Sequence, residues 1–224
     1  MCRGKGCNIT MSSVNFSKCS LVVLEGAKVT LDRCCFSDCA LGVYASDEGT
    51  AVTARDTTVS GGMQSMTVCT GAHVTCSKLT CTGWKARGIT VNDVQSSLSV
   101  TDGTFEPAAC TDNELLSNQL HALWVHSGST CSLASTRIIG SWRGIYVAAS
   151  HVTATDCTLC GSLACGVMVD SAGQANLTGY ATHTPAVLCE SPLLKFLLSN
   201  MCFSVVLGSW ASSSRAWCTG SVRM

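Results

Sequence analysis

The chain has 224 residues, a formal net charge of zero and only 12% charged residues. This composition lacks the excess of basic residues that marks nucleic-acid-binding proteins, and it contains no block of like charges typical of an interaction tail. The length allows one or two domains. We therefore expect a folded chain without a nucleic-acid partner.

A short pattern recurs eight times along the chain: an apolar residue, then Thr or Ser (Asn in the last copy), then a second apolar residue. Successive copies begin 20, 23, 22, 24, 33, 21 and 23 residues apart. The first residues of the copies are Ile9, Val29, Val52, Val74, Leu98, Cys131, Val152 and Ala175. A period in this range predicts stacked units that bury their apolar faces against one another.

Each unit contains three short segments in which apolar and polar residues alternate. A second apolar pair follows the first, as at Val14 and Phe16, and a third pair precedes the next unit, as at Leu21 and Val23. Alternation with a period of two predicts strands with one buried face. Three such strands in about 22 residues predict one turn of a parallel β-helix, and rungs about 4.8 Å apart would stack to roughly 38 Å.

Glycines recur at fixed places in the unit, and we expect them at the corners of the coil, where positive φ angles cost Gly little. One set opens the next unit and comprises Gly26, Gly49, Gly71 and Gly128. The other set precedes the third strand and comprises Gly42, Gly88, Gly144 and Gly166.

Two copies, "VTATDCTLCGSLACGVMVDSAG" from Val152 to Gly173 and "VTLDRCCFSDCALGVYASDEG" from Val29 to Gly49, resemble the right-handed parallel β-helix repeat of the pectin-lyase-like superfamily. The resemblance covers about residues 7 to 183. It implies an all-β, single-stranded right-handed parallel β-helix of about eight rungs. That superfamily contains polysaccharide lyases, glycoside hydrolases, adhesins and non-enzymatic β-helices attached to F-box proteins, and it slightly favours an extracellular location.

The two ends of the chain depart from the repeat. We predict a β-helix over residues 1–183, with a truncated N-terminal end because the chain starts almost directly in a rung, and a non-repeat tail over residues 184–224. The N-terminus has no apolar signal-peptide region. Lys195 and Asn200 interrupt the apolar tail, so a membrane span is not expected. A helical or irregular cap is favoured, and a mis-spliced tail is the other alternative.

The 17 cysteines are an odd number and cannot all pair within the chain. Many occupy inward positions, which predicts that they serve as small buried apolar residues: Cys34, Cys76, Cys81, Cys131 and Cys157. The lone CxxC sequence from Cys157 to Cys160 points its two sulfurs differently. No metal site and no cofactor are expected.

The carboxylates do not predict catalysis. A β-helix lyase needs several carboxylates around calcium, and a hydrolase needs a carboxylate pair. Asp56, Asp102 and Asp156 occupy similar phases on rungs that are not adjacent. Asp is also a common turn residue. We therefore predict no catalytic residues in this chain.

The third strand carries the most informative outward residues. Trp124 and Tyr146 fall on adjacent rungs, and the one insertion, residues 107–119, leaves the coil at the turn before this strand. Loops on one face of a solenoid often form its binding surface. The predicted binding residues are Trp84, Arg87, Asp112, Glu114, Trp124, Trp142, Arg143 and Tyr146. The alternative is that these aromatic residues only pad a turn.

These observations favour a non-catalytic binding or scaffold module, a fragment of a larger protein, that recognises a carbohydrate or a protein partner. The alternative is a polysaccharide-active enzyme, a lyase or hydrolase, of the pectin-lyase-like type. Fold alone does not decide between them, because function resides in sites built on a fold.

Overall fold

The computed structural model describes residues 1–108, 120–162, 164–170, 172–179, 181–182, 187–189 and 216–218. All regular elements in this part of the chain are β-strands, numbered here in chain order. They form three long sheets, which we call I, II and III after the order of the strands within one repeat. The predicted all-β solenoid is confirmed.

Each sheet takes one strand from every repeat. Sheet I contains β2 Asn8–Ser12, β5 Lys28–Asp32, β8 Ala51–Arg55, β11 His73–Ser77, β14 Ser97–Thr101, β17 Thr130–Ala134, β20 His151–Thr155 and β23 Gln174–Thr178. Sheet II contains β3 Asn15–Ser17, β6 Cys35–Ser37, β9 Thr58–Ser60, β12 Thr80–Trp84, β15 Thr104–Pro107, β18 Arg137–Ile139, β21 Thr158–Cys160 and β24 Ala181–Thr182. Sheet III contains β1 Cys2–Arg3, β4 Leu21–Leu24, β7 Leu41–Ser46, β10 Gln64–Cys69, β13 Arg87–Asn92, β16 His121–His126, β19 Arg143–Ala148, β22 Cys165–Asp170, β25 Val187–Cys189 and β26 Ala216–Cys218.

The register of sheet I reproduces the repeat seen in the sequence. Ile9 pairs with Val29, Val29 with Val52 and Val52 with Val74, and the column continues in the same way through Ala175. All of these pairings are parallel, and the coil makes about 7 turns. A period-two pattern fixes the register because a slip of one residue would turn every apolar side chain outward.

The core runs along the inside of the coil as one cluster that extends from Cys2 to Leu177. The core consists of columns of apolar side chains stacked from rung to rung. In one column, the rings of Phe16 and Phe36 on neighbouring rungs lie parallel with centroids 4.4 Å apart. The five cysteines predicted to face inward are buried, and each of them is a free thiol. Burial raises the pKa of the Cys81 thiol to about 12, so it behaves as a small neutral residue.

The corners from sheet III to sheet I follow a common pattern. In most of them a residue with positive φ is followed by a small buried residue. At the corner from sheet III to sheet I, Gly26 has φ of 78° and is followed by buried Ala27, while Gly71 has φ of 80° and is followed by buried Ala72. Glycine is preferred here because it adopts this conformation without steric cost.

The corner from sheet I to sheet II explains part of the Cys and Thr content. The thiol of Cys34 donates to the carbonyl of Asp32 at 3.6 Å, and the hydroxyl of Thr57 donates to the carbonyl of Arg55 at 3.1 Å. Thr136 and Cys157 make the same bond to the carbonyl two residues earlier, at 3.0 and 3.4 Å. Either residue type therefore donates a hydrogen bond to a partly buried corner carbonyl, although the thiol is the weaker donor.

The glycines before the third strand have a different role from the one expected. Gly42, Gly88 and Gly144 lie inside the strands of sheet III and are not among the residues with positive φ. An added Cβ would lie 2.6, 2.4 and 2.4 Å from a backbone oxygen of the next rung at these three positions. These residues are glycine because neighbouring rungs approach closely at the start of these strands. The expectation that they are needed for a positive φ angle is therefore wrong for this set.

The proposed division of the chain at residue 183 stays a prediction. Sheet III continues to β25, which pairs with β22 in parallel and with β26 in antiparallel fashion. The rest of the tail lies outside the described residues. No helix in the part of the chain that the structure describes is long and apolar enough to cross a membrane.

Candidate functional site

The outward face of sheet III brings together two columns of side chains. One column passes from Arg87 through His121 to Arg143, because β13, β16 and β19 pair at these positions. The second column passes from Thr90 through Trp124 to Tyr146 on the same three rungs. The predicted adjacency of Trp124 and Tyr146 is confirmed, and their rings meet edge to face with centroids 6.0 Å apart.

Each arginine of the first column lies over an aromatic ring of the second. The guanidinium carbon of Arg87 is 3.7 Å from the centroid of the Trp124 ring, and that of Arg143 is 5.3 Å from the centroid of the Tyr146 ring. Both separations lie within the range of cation–π attraction. An arginine held over an aromatic ring can still donate hydrogen bonds to another partner through its N–H groups.

His121 lies between the two arginines and is 3% exposed. Its ring stacks on Tyr146 with centroids 5.2 Å apart and tilts against Trp124 at 5.4 Å. Burial, together with the positive charges of Arg143 and Arg87, lowers the pKa of His121 to about 3. The ring is therefore neutral near pH 7. Its buried Nδ1 atom has no hydrogen-bond partner among the described residues.

The face carries positive charge without a paired carboxylate in the described part of the chain. Salt bridges among these residues join Arg3 with Glu25, Arg33 with Asp32, and Lys78 with Asp56. None of them involves Arg87 or Arg143. Asp170 lies two rungs from Trp124's strand and accepts a hydrogen bond from the Tyr146 hydroxyl at 2.9 Å. Burial also lowers the pKa of Arg87, as expected for a cation partly removed from water.

Two of the predicted tryptophans differ in their surroundings. Trp84 is fully buried in the core, so the expectation that its ring is exposed is wrong. It follows Gly83, whose φ of 70° turns the next side chain inward, as Asp38 does for buried Cys39. Trp142 is half-buried and packs against the core from its edge.

The described strands on either side of the insertion lie where the sequence predicted. Pro107 ends β15, and Leu120 immediately precedes β16, so the inserted residues join sheets II and III between the rungs of Arg87 and Arg143. Asp112 and Glu114 lie outside the described residues. Their predicted role in binding stays a prediction.

His121 was absent from the predicted binding residues. The sequence signal for it is its register, since alignment of the third strands places it in one column with Arg87 and Arg143. The 33-residue step in the repeat hides this alignment, because the insertion separates His121 from the preceding unit.

The acidic residues at the corner from sheet III to sheet I have structural partners. Asp47 accepts a hydrogen bond from the backbone N–H of Glu25 at 3.0 Å, and Asp93 accepts one from the backbone N–H of Thr70 at 3.3 Å. Across the described residues, no group of three or more His, Cys, Asp or Glu side chains is arranged to hold a metal ion. These carboxylates therefore tie neighbouring rungs together.

Comparisons with known proteins add no relative: no family model matches the chain, and no curated protein matches it. The parallel β-helix is established by the strand register. Membership of the pectin-lyase-like superfamily stays a prediction that rests on the resemblance of the repeats.

Proposed function

We propose that the chain is a non-catalytic binding module and that the outward face of sheet III binds a carbohydrate. The observation that carries this proposal is the continuous cluster of Arg87, Trp124, His121, Tyr146 and Arg143 on three adjacent rungs. Planar donors beside aromatic rings suit a ligand rich in hydroxyl and ring oxygen atoms.

The rigidity of the site supports a binding role. All five side chains project from strands that pair on both sides, so the backbone beneath them is held by neighbouring rungs. Side chains fixed by mutual stacking lose little further freedom when a ligand binds. A preformed surface of this kind fits recognition of a semi-rigid ligand.

The same pairing argues against a peptide ligand. Strand addition requires an unpaired sheet edge, whereas β16 pairs with β13 on one side and with β19 on the other. Binding of an amphipathic helix requires an apolar groove. The exposed large apolar side chains in the described part of the chain are Met1, Val14, Met63 and Val94, and none of them belongs to this cluster.

The central test changes Trp124 to Ala and measures binding of oligosaccharides by calorimetry after a glycan-array screen. We expect a loss of about 1 to 3 kcal/mol, the range for an anchor residue at an interface, with the fold kept. Trp124→Phe should retain part of the affinity because it preserves a ring. Thr75→Ala, on the exposed face of sheet I, is the matched control.

The contrary result would be a lower melting temperature for Trp124→Ala together with unchanged ligand binding. Trp124 would then be packing against the surface, as in the alternative in which these aromatic residues only pad a turn. A protein partner, rather than a carbohydrate, would be indicated by a screen in which no glycan binds and the chain captures one defined protein through Trp124.

The second candidate function is a polysaccharide-active enzyme. The observation in its favour is a buried neutral imidazole, His121, beside two arginines, since such perturbed groups gather at functional sites. Incubation with acidic polysaccharides, with and without calcium, tests it. Release of unsaturated products would replace the binding proposal with a lyase.

A further inference from the structure

The arrangement of Arg87, His121 and Arg143 bears on the chemistry of the ligand. From it we infer that the cluster on sheet III is an oxyanion site, in which the two guanidinium groups and the imidazole bind a carboxylate or sulfate of an acidic carbohydrate. This inference rests on the proposed function and adds the charge of the ligand and the role of His121 as a hydrogen-bond donor to it.

Charge is the first argument. Arg87 and Arg143 lie on strands two rungs apart, so their backbones are separated by about 10 Å along the coil axis, and neither arginine forms a salt bridge within the described residues. Arg87 lies over the Trp124 ring and Arg143 lies over the Tyr146 ring. An arginine in such a position can still donate hydrogen bonds through its N–H groups. The planar fork of N–H donors of a guanidinium group matches two oxygens of a carboxylate or sulfate.

The second argument is independent of the arginines. His121 is almost fully buried, yet its Nδ1 atom has no hydrogen-bond partner among the described residues. Buried polar atoms nearly always have a hydrogen-bond partner, so a buried nitrogen without one requires an explanation. A neutral imidazole can donate one N–H, and an oxyanion between the flanking arginines would accept it.

Stacking geometry also bears on the mode of contact. One face of the Trp124 ring is covered by Arg87, and His126 tilts against the same ring with centroids 4.7 Å apart. A sugar ring therefore has less of the Trp124 face to stack on than the sequence suggested. Arg87 and Arg143 are both partly exposed, and their charged donors favour a charged ligand over a neutral one.

The test uses the full chain and compares four probes at constant ionic strength: inorganic sulfate, a uronic-acid oligosaccharide, a sulfated oligosaccharide and a neutral oligosaccharide of equal length. We expect both acidic oligosaccharides to bind at least tenfold more tightly than the neutral one. Arg87→Gln and Arg143→Gln should each weaken acidic-ligand binding about 10- to 100-fold, the range for a hydrogen bond to a charged group.

The role of His121 has its own measurement in the wild-type protein, which avoids a variant that fails to fold. In ¹H–¹⁵N spectra of the histidine side chains, addition of the acidic oligosaccharide should shift the Nδ1 resonance of His121. His73, which is exposed on sheet I and hydrogen-bonded to Ser97 at 2.7 Å, is the internal control and should not move.

The outcomes separate this inference from the proposed function. Equal binding of neutral and acidic oligosaccharides would overturn the oxyanion site and leave the carbohydrate module standing. Sulfate binding without any oligosaccharide binding, or equal binding of an acidic peptide, would retain the oxyanion site and overturn the carbohydrate assignment. An unmoved His121 resonance in a saturated complex would remove His121 from the site.

Discussion

Burial of His121 predicts a loss of protein stability in mild acid. The folded state keeps the pKa of this side chain at about 3, against an ordinary value of 6.5. Between these two values the unfolded chain binds the proton and the folded chain does not. The free energy of unfolding therefore falls as the pH falls through this window, and the contribution of His121 is fully present only above pH 6.5.

The size of the effect follows from the two pKa values. At pH 5, about 1.5 pH units below the ordinary histidine value, the cost of keeping the ring neutral is about 2 kcal/mol at 1.4 kcal/mol per unit. For a chain of this length, that corresponds to a fall of about 4 to 8 °C in the melting temperature. Carboxylates contribute little in this interval because they titrate mostly below it.

The assay is urea denaturation, followed by circular dichroism at pH 8 and at pH 5, of the wild type and of His121→Gln. The wild type should lose about 2 kcal/mol more than the variant between the two pH values. His126, whose pKa is also lowered by burial, is present in both proteins and cancels in the comparison. His73→Gln should follow the wild type. Parallel loss in wild type and His121→Gln would refute the reasoning, as would a wild type that gains stability in acid.

Three further predictions concern the coil itself. Gly88→Ala should lower the free energy of unfolding by about 1 to 3 kcal/mol, measured by urea denaturation, because the added Cβ would lie 2.4 Å from a backbone oxygen of the next rung. A variant as stable as the wild type would contradict this close approach of the two rungs. Thr57→Val should lower the free energy of unfolding by about 1 kcal/mol, because it removes a partly buried corner hydrogen bond. Thr57→Cys should cost less than half as much, and equal losses would show that the thiol does not replace the hydroxyl. Brief alkylation followed by mass spectrometry should label exposed Cys19 and Cys35 before buried Cys76, whose pKa is raised by burial, and simultaneous labelling would contradict the inward placement of Cys76.

The stacking of the rungs could be predicted from the sequence because it depends on the local alternation of apolar and polar residues. Val29, Val52 and Val74 share a column since each begins an alternating segment, and one buried face leaves only one register. The aromatic pair of Trp124 and Tyr146 followed from the same phase. No tertiary information was needed for these positions, because each rung contacts only its neighbours.

The side-chain directions and close contacts around some corners could not be predicted in this way. The direction of a side chain after a corner depends on the φ angle of the residue before it. Trp84 resembled a surface residue in the sequence because Lys85 and Arg87 follow it. In the structure, the positive φ of Gly83 directs the Trp84 side chain into the core. The tightness of the corner at Gly88 depends on the position of a carbonyl more than 30 residues later in the chain. Neither feature can be recognised from the local alternation of polar and apolar residues.

The direction of the hydrogen bonds has a mechanical consequence. The backbone ladders of all three sheets run along the axis of the coil, since the bonds join one rung to the next. A tensile load applied along this axis would act on the ladders in series and peel rungs from an end, instead of shearing many bonds at once. Each released rung of about 22 residues would lengthen the chain by roughly 75 Å, so the molecule would extend in steps under force.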